Sequence, residues 1–145
     1  MLQESAVYGF RLSPQQHRLW TLHQDLRRTP FRVWCLVVLE GQVRLPSLTR
    51  ALAAVARRHE ILRTRFQLLE ELESPLQVVT EELAEIGEVC DLTDVAPEQQ
   101  ATEIAAFCAR QAQLACDLDS GPPLGLSAVM LTAEKCVLRL ELPAL

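Results

Sequence analysis

Arg57-Arg58-His59-Glu60-Ile61-Leu62-Arg63-Thr64-Arg65-Phe66 places four arginines and a His-Glu pair where the period of the sequence changes. Upstream, Leu48, Leu52, Val55 and Ala56 recur at the three- and four-residue spacing of one helical face. Downstream, Thr64, Phe66 and Leu68 alternate with Arg63, Arg65 and Gln67, as in a strand running from about Arg63 to Leu69. The reading is a helix that turns directly into a strand near Leu62. Burying unpaired guanidinium groups is costly, so a junction carrying this much charge is not plain core.

Outward from that junction, Pro46 opens the helix, and the stretch before it, Arg32 to Glu40, is apolar on both alternating faces and closed by Gly41. Val33, Cys35, Val37 and Leu39 form one face; Trp34, Leu36 and Val38 form the other. This pattern predicts a central strand covered on two sides, and with it a layered α/β (α+β) sandwich. Earlier still, Ser13-Pro14-Gln15-Gln16 combines an N-cap serine, proline at the first helical position and glutamine three residues after the cap. The helix it opens carries Trp20 as a core anchor and stops near Arg27-Arg28-Thr29-Pro30.

Beyond the junction, Leu76 to Thr80 reads as a short strand and Glu85 to Asp91 as a weak one with Ile86 and Val89 inward. Pro97 starts a third helix whose buried stripe is Ile104, Phe107, Cys108 and Ala115, ending near Cys116. The turn-rich segment Asp117 to Pro123 leads to Leu126–Leu131, the turn Thr132-Ala133-Glu134-Lys135, and Cys136–Leu142, an antiparallel hairpin. In its second strand Cys136, Leu138, Leu140 and Leu142 are the expected core face; Val137, Arg139 and Glu141 make the other, largely polar one.

The sequence has 145 residues, 49% hydrophobic and 23% charged, a single-domain composition with a formal net charge of −5. That balance argues against a general nucleic-acid binder, because the basic cluster is local. No apolar run reaches the length of a membrane span, and Met1 to Ser5 lack the basic flank and apolar run of a secretory signal. Five widely spaced cysteines without a C-x-x-C pair suggest neither disulfides nor zinc, and fit the cytoplasm. Cys35, Cys108 and Cys136 fall on apolar faces, where a free thiol behaves as a small hydrophobe.

Three ordered segments resemble the condensation domains of nonribosomal peptide synthetases, within the chloramphenicol-acetyltransferase-like acyltransferases. Leu12 to Trp20 matches Ser-x-x-Gln-x-Arg-Leu-Trp through Ser13, Gln16, Arg18 and Trp20. Arg58 to Phe66 matches Arg-His-Glu-x-Leu-Arg-Thr-x-Phe through Arg58, His59, Glu60, Arg63, Thr64 and Phe66. Asp117 to Leu124 matches Asp-Leu-x-x-Gly-Pro-x-Leu through Asp117, Gly121 and Pro122. The resemblance implies a mixed, largely antiparallel sheet covered by helices, with residues 1–145 forming the N-terminal half of the fold and a second, C-terminal lobe missing.

It further implies amide formation between aminoacyl and peptidyl thioesters held on the phosphopantetheine arms of peptidyl or acyl carrier proteins, with no cofactor or metal bound directly. The family's next motif is His-His-x-x-x-Asp-Gly. With the same strand register its histidines fall on Pro143 and Ala144; with different loop lengths the motif lies just past Leu145, and in either case residues 1–145 contain no such motif and are expected to be inactive alone. The alternative is a degenerate, non-catalytic module that docks carrier proteins or tailoring enzymes. By the resemblance Arg58 and Arg63 brace the active-site region, whereas Arg57 and Arg65 read as a solvated, ion-paired surface. His59, adjacent to Glu60 in sequence, cannot form a dyad with it on a helix and reads as structural. His17 and His23, six residues apart, do not share a metal on one helical face, and Asp117 and Asp119 read as turn residues in place of a calcium loop. Surfaces facing the missing lobe are expected to drive self-association.

Overall fold

The computed structural model describes residues 8–26, 31–70, 72–114, 118–119 and 123–145. In chain order its elements are β1 (Phe10–Arg11), α1 (Pro14–Leu26), β2 (Arg32–Glu40), α2 (Leu45–Arg58), a 3-10 turn (Glu60–Arg63), β3 (Thr64–Gln67), β4 (Leu76–Val79), β5 (Val89–Asp91), α3 (Pro97–Gln113), β6 (Gly125–Thr132) and β7 (Lys135–Pro143). The strands form a small sheet ordered β1-β4-β3 and a larger one ordered β2-β7-β6-β5. Every pairing is antiparallel except β5 with β6.

The larger sheet is the centre of the molecule. On one face, Ile104, Phe107 and Cys108 of α3 pack on Leu92, Val129, Leu131 and Val137. On the other, Leu48 and Leu52 of α2 pack with Val43 and Leu45 on Ala128, Cys136 and Leu138. A sheet between two helical layers is the layered sandwich that the periodicity predicted.

The order of its strands corrects the expectation for Arg32–Glu40. That strand is an edge: among the described residues β2 pairs only with β7, and Val33, Trp34, Leu36, Val37 and Val38 are exposed on its two faces, as is Cys35. The strand covered on both sides is β7, where Val137, Arg139 and Glu141 are as buried as Cys136 and Leu138. The expected polar face of β7 is therefore interior. It tolerates burial because Glu141 is bridged by both Arg139 and Arg32, so the charges meet each other in place of water.

Three local expectations also change. The helix does not run directly into the strand: α2 stops at Arg58, His59 caps it with φ −118° and ψ 96°, and the 3-10 turn intervenes before β3. β3 ends at Gln67, leaving Leu68 exposed. In β5, Cys90 and not Val89 turns toward α3, because parallel pairing with β6 sets Cys90 beside Val129 of that core face. The third helix is described to Gln113; Ala115 and Cys116 lie outside the described residues. Gly41 closes β2 with φ 105°, a conformation that side chains disfavour.

Among the described residues no helix is long and apolar enough to cross a membrane.

Candidate functional site

The first motif builds the entry to α1. The Ser13 backbone N–H donates to Oε1 of Gln16 at 2.9 Å, and the Gln16 N–H donates to Oγ of Ser13 at 3.2 Å, a reciprocal capping box. Gln16 Nε2 then donates to Oε1 of Gln77 on β4 at 3.1 Å, and Gln77 Nε2 donates to the Arg11 carbonyl at 3.1 Å. The cap thus ties α1 to the small sheet. Ser13→Ala should cost about 1 kcal/mol of stability, measured as a lowered urea midpoint with unchanged slope. Arg18 and His17 are exposed, and Trp20 is buried. The side chain of His23 lies outside the described residues.

The second motif fixes the turn into β3. Thr64 Oγ1 donates to the Glu60 carbonyl at 2.7 Å across the 3-10 turn, which holds Phe66 inward at 2% exposure. Arg63 lies under this turn with a side chain 12% exposed. It donates to the Thr80 carbonyl at 2.8 Å and pairs with Glu60 at 3.7 Å and Glu81 at 3.6 Å, while Thr80 returns two hydrogen bonds to the Arg63 carbonyl. Arg58 instead points to solvent, as do Arg57 and His59, and Arg65 is half-buried. Arg63→Ala is expected to lose about 1.5–3 kcal/mol, the range for hydrogen bonds made by a charged group. Arg58→Ala should stay within about 0.5 kcal/mol; paired denaturation curves separate the two.

Of the third motif, Leu118 is buried, Asp119 is exposed, and Pro123 and Leu124 are buried; Asp117, Ser120, Gly121 and Pro122 lie outside the described residues. The Leu118 carbonyl accepts from the Phe66 N–H at 2.7 Å.

These segments converge. Trp20 of the first motif, Phe66 of the second and Leu118 of the third form one buried cluster, with Leu12 and Leu145 packed against it. Leu145 reaches it because β7 runs on: Pro143 pairs with Arg32, and the Ala144 N–H donates to the Phe31 carbonyl at 2.7 Å. Pro143 and Ala144, on which the family's two histidines fall if its strand register carries over, are partly exposed at the end of β7, immediately before Leu145, which packs against this cluster.

Beside that strand end lies a charged network that the sequence reading did not single out. Glu141 accepts from Arg32 through one carboxylate oxygen and from Arg139 through the other. Arg32 also donates to the Ala112 carbonyl of α3, and the Arg139 guanidinium stands 5.8 Å from the Trp34 ring. The available signal was Arg139 and Glu141, opposite charges two apart on one strand, with Arg32 at the head of another apolar strand. A second polar link across α3 joins buried Gln111 to Glu88, which also pairs with Arg110 at 3.5 Å.

Among the described residues no cluster of three or more His, Cys, Asp or Glu could hold a metal. Burial pushes the Cys136 thiol up from its ordinary pKa, which disfavours the thiolate.

The pattern of matches to known proteins agrees with this geometry. The family model for the condensation domain matches residues 9–142. Chondramide synthase cmdD of Chondromyces crocatus is 33% identical over 114 residues, which is 78% of this chain and 3% of the synthase. The hybrid PKS-NRPS synthetase poxE of Penicillium oxalicum is 36% identical over 85 residues, 56% of this chain and 2% of that protein. In fold, the first condensation domain of the calcium-dependent antibiotic synthetase superposes with a TM-score of 0.78 at 20% identity, covering 94% of this chain and 32% of that one. The starter condensation domain of rhizomide synthetase RzmA gives 0.76 at 20% identity, with the same coverage. The chain thus spans about a third of the solved condensation-domain chains and a few per cent of these two synthetases. With the family model covering nearly all of it and the motif residues meeting in one cluster, this chain belongs to the condensation-domain family.

Proposed function

We propose that residues 1–145 are the N-terminal lobe of a condensation domain whose complete form joins carrier-tethered aminoacyl and peptidyl thioesters by amide formation. The observation that carries this reading is the meeting of Trp20, Phe66, Leu118 and Leu145 in one cluster, which aligns the end of β7 with all three motifs. In such a reaction the acceptor amine attacks the donor thioester carbonyl. The amide C–N bond forms, the thiolate of the donor arm leaves, and the amine proton passes to a base or to that thiolate. The needs are a channel that positions two tethered reactants, a group that orients or deprotonates the amine, and donors for the oxyanion.

Arg63 is the brace. It donates to the Thr80 carbonyl and pairs with Glu60 and Glu81, which holds the head of β3 in place. Arg58, exposed, is free to take a similar contact on the outer side of the junction. Peptidyl or acyl carrier proteins are the partners, and the phosphopantetheine arms they carry bring the substrates. The free cysteines Cys35, Cys90, Cys108 and Cys136 suit a cytoplasmic setting.

Whether the histidine positions fall on Pro143 and Ala144 or past Leu145, the 145-residue protein lacks the motif and should form no amide product from a loaded carrier pair, read by mass spectrometry of the released peptide. Clear turnover would sink the claim that this lobe lacks the catalytic apparatus. The same two residues favour a second reading, a non-catalytic condensation-like module that docks carrier proteins or tailoring enzymes. A His-His-x-x-x-Asp-Gly segment following Leu145 in a full-length protein separates the readings in favour of catalysis.

A further inference from the structure

We propose that Arg32 is a positioning residue for the reaction of the complete domain, holding the end of β7 against β2 and α3 where the chain leads into the family's catalytic motif. The proposal rests on the condensation-domain reading for what that strand end does, and on this chain's own contacts for how it is held.

The end of β7 has few other supports. β6 accompanies β7 only as far as the pair of Gly125 with Glu141, so beyond Glu141 the strand is paired with β2 alone among the described residues. Pro143 has no N–H to give to a ladder, and the Ala144 N–H donates to the Phe31 carbonyl at 2.7 Å. Arg32 stands opposite Pro143 in that register. Its guanidinium donates to Glu141 through Nη1 and to the Ala112 carbonyl, in the last turn of α3, through Nη2. A carbonyl in the last turn of a helix lacks an intrahelical partner and favours a cation. One planar fork therefore joins β2, β7 and α3. Arg32 is covered by residues of this chain, with a side chain 9% exposed, so its place does not depend on surfaces that face another part of the domain.

Charge balance sets Arg32 apart from a simple ion-pair partner. Arg139 already pairs with Glu141 from the same strand. A second buried guanidinium against one carboxylate adds desolvation cost without being needed to neutralise it. What Arg32 adds is geometry, because its rigid fork ties acceptors on two different elements in a fixed orientation. The ion pair at the other end of the same two strands, Glu40 with Lys135 at 3.0 Å, is by contrast exposed on both side chains. A strand end fixed in this way keeps reacting groups near their attack geometry, where a misplacement of about 1 Å costs about a hundredfold in rate.

The test compares Arg32→Met, Arg32→Lys and the matched control Glu40→Gln. Arg32→Met leaves Glu141 paired with Arg139, so no buried carboxylate is stranded; circular dichroism and the urea midpoint check that the fold is kept. In the 145-residue protein, Arg32→Met should speed amide exchange at Ala144 at least about tenfold relative to Leu138, which is buried in mid-strand. In the complete domain the same change should lower kcat for amide formation at least about tenfold, with KM for both carrier-bound substrates unchanged. Arg32→Lys keeps a charge at Glu141 but has no second arm for the Ala112 carbonyl, and should recover part of both losses. Glu40→Gln should change neither. Equal acceleration of exchange along β7 would make Arg32 a general stabiliser, and an unchanged kcat beside a loosened strand end would remove its part in the reaction; either result overturns the proposal. Absence of amide product from the unsubstituted complete domain would overturn the condensation reading and the catalytic half of the proposal with it, while the exchange comparison decides independently whether Arg32 sets the strand end.

Discussion

Glu141→Leu should destabilise the protein by about 3–5 kcal/mol, because it strands two guanidinium groups in the interior beneath α3. Arg139 is 4% exposed and the Arg32 side chain 9%, so neither can turn to water without opening the sheet–helix interface. The loss comes from unpaired burial and not from the worth of the ion pairs themselves. Removing all three charges at once, with Arg32→Met, Arg139→Met and Glu141→Leu, should therefore recover most of it, since apolar replacements of a buried triad are often neutral. Urea denaturation of the single and triple variants decides the matter. A mild effect of Glu141→Leu alone would mean that the network is wet and that β7 is less central than described.

Phe66→Ala is the second large effect, expected at about 3–5 kcal/mol for truncating a fully buried aromatic side chain. The residue touches Trp20 and Leu118, so the change opens a cavity where the three motifs meet. Trp20 emission should shift to the red in the native variant as water approaches the indole. Phe10→Ala, at a position 69% exposed, is the matched control and should stay within about 0.5 kcal/mol. Equal effects at both positions would show that the motif cluster is not an organising core.

Much of this architecture was legible in the sequence because it rests on local rules. The capping box at Ser13 and Gln16, the proline-led starts of α2 and α3, and the β6–β7 hairpin each depend on residues within a few positions of one another. The junction residues were also legible, since a period change marks a boundary wherever the chain later packs. The strand order was not. β2 and β7 are both long strands with strong apolar content, and only pairing across about a hundred residues makes one an edge and the other the centre.

The charges misled for a related reason. Arg139 and Glu141 look solvent-facing when read along their own strand, and become interior once Arg32 arrives from β2 to complete the network. At the site, Arg63 is distinguished from Arg58 by the 3-10 turn, which rotates the chain after His59 so that Arg63 faces Thr80 and Arg58 stays outside. A helix continued to Leu62 would give a different pairing. The Asp117, Gly121 and Pro122 positions of the third motif lie outside the described residues, and among the described ones Leu118 carries that motif into the cluster.

The proposal that this chain is part of a machine working on carrier-bound substrates is tested most directly by a carrier-protein titration. Backbone amide spectra of the 145-residue protein, followed as phosphopantetheinylated carrier protein is added, should show saturable shifts at the end of β7 and around Leu12, Trp20, Phe66 and Leu118. Spectra that stay unchanged to millimolar carrier would contradict both the catalytic and the docking reading.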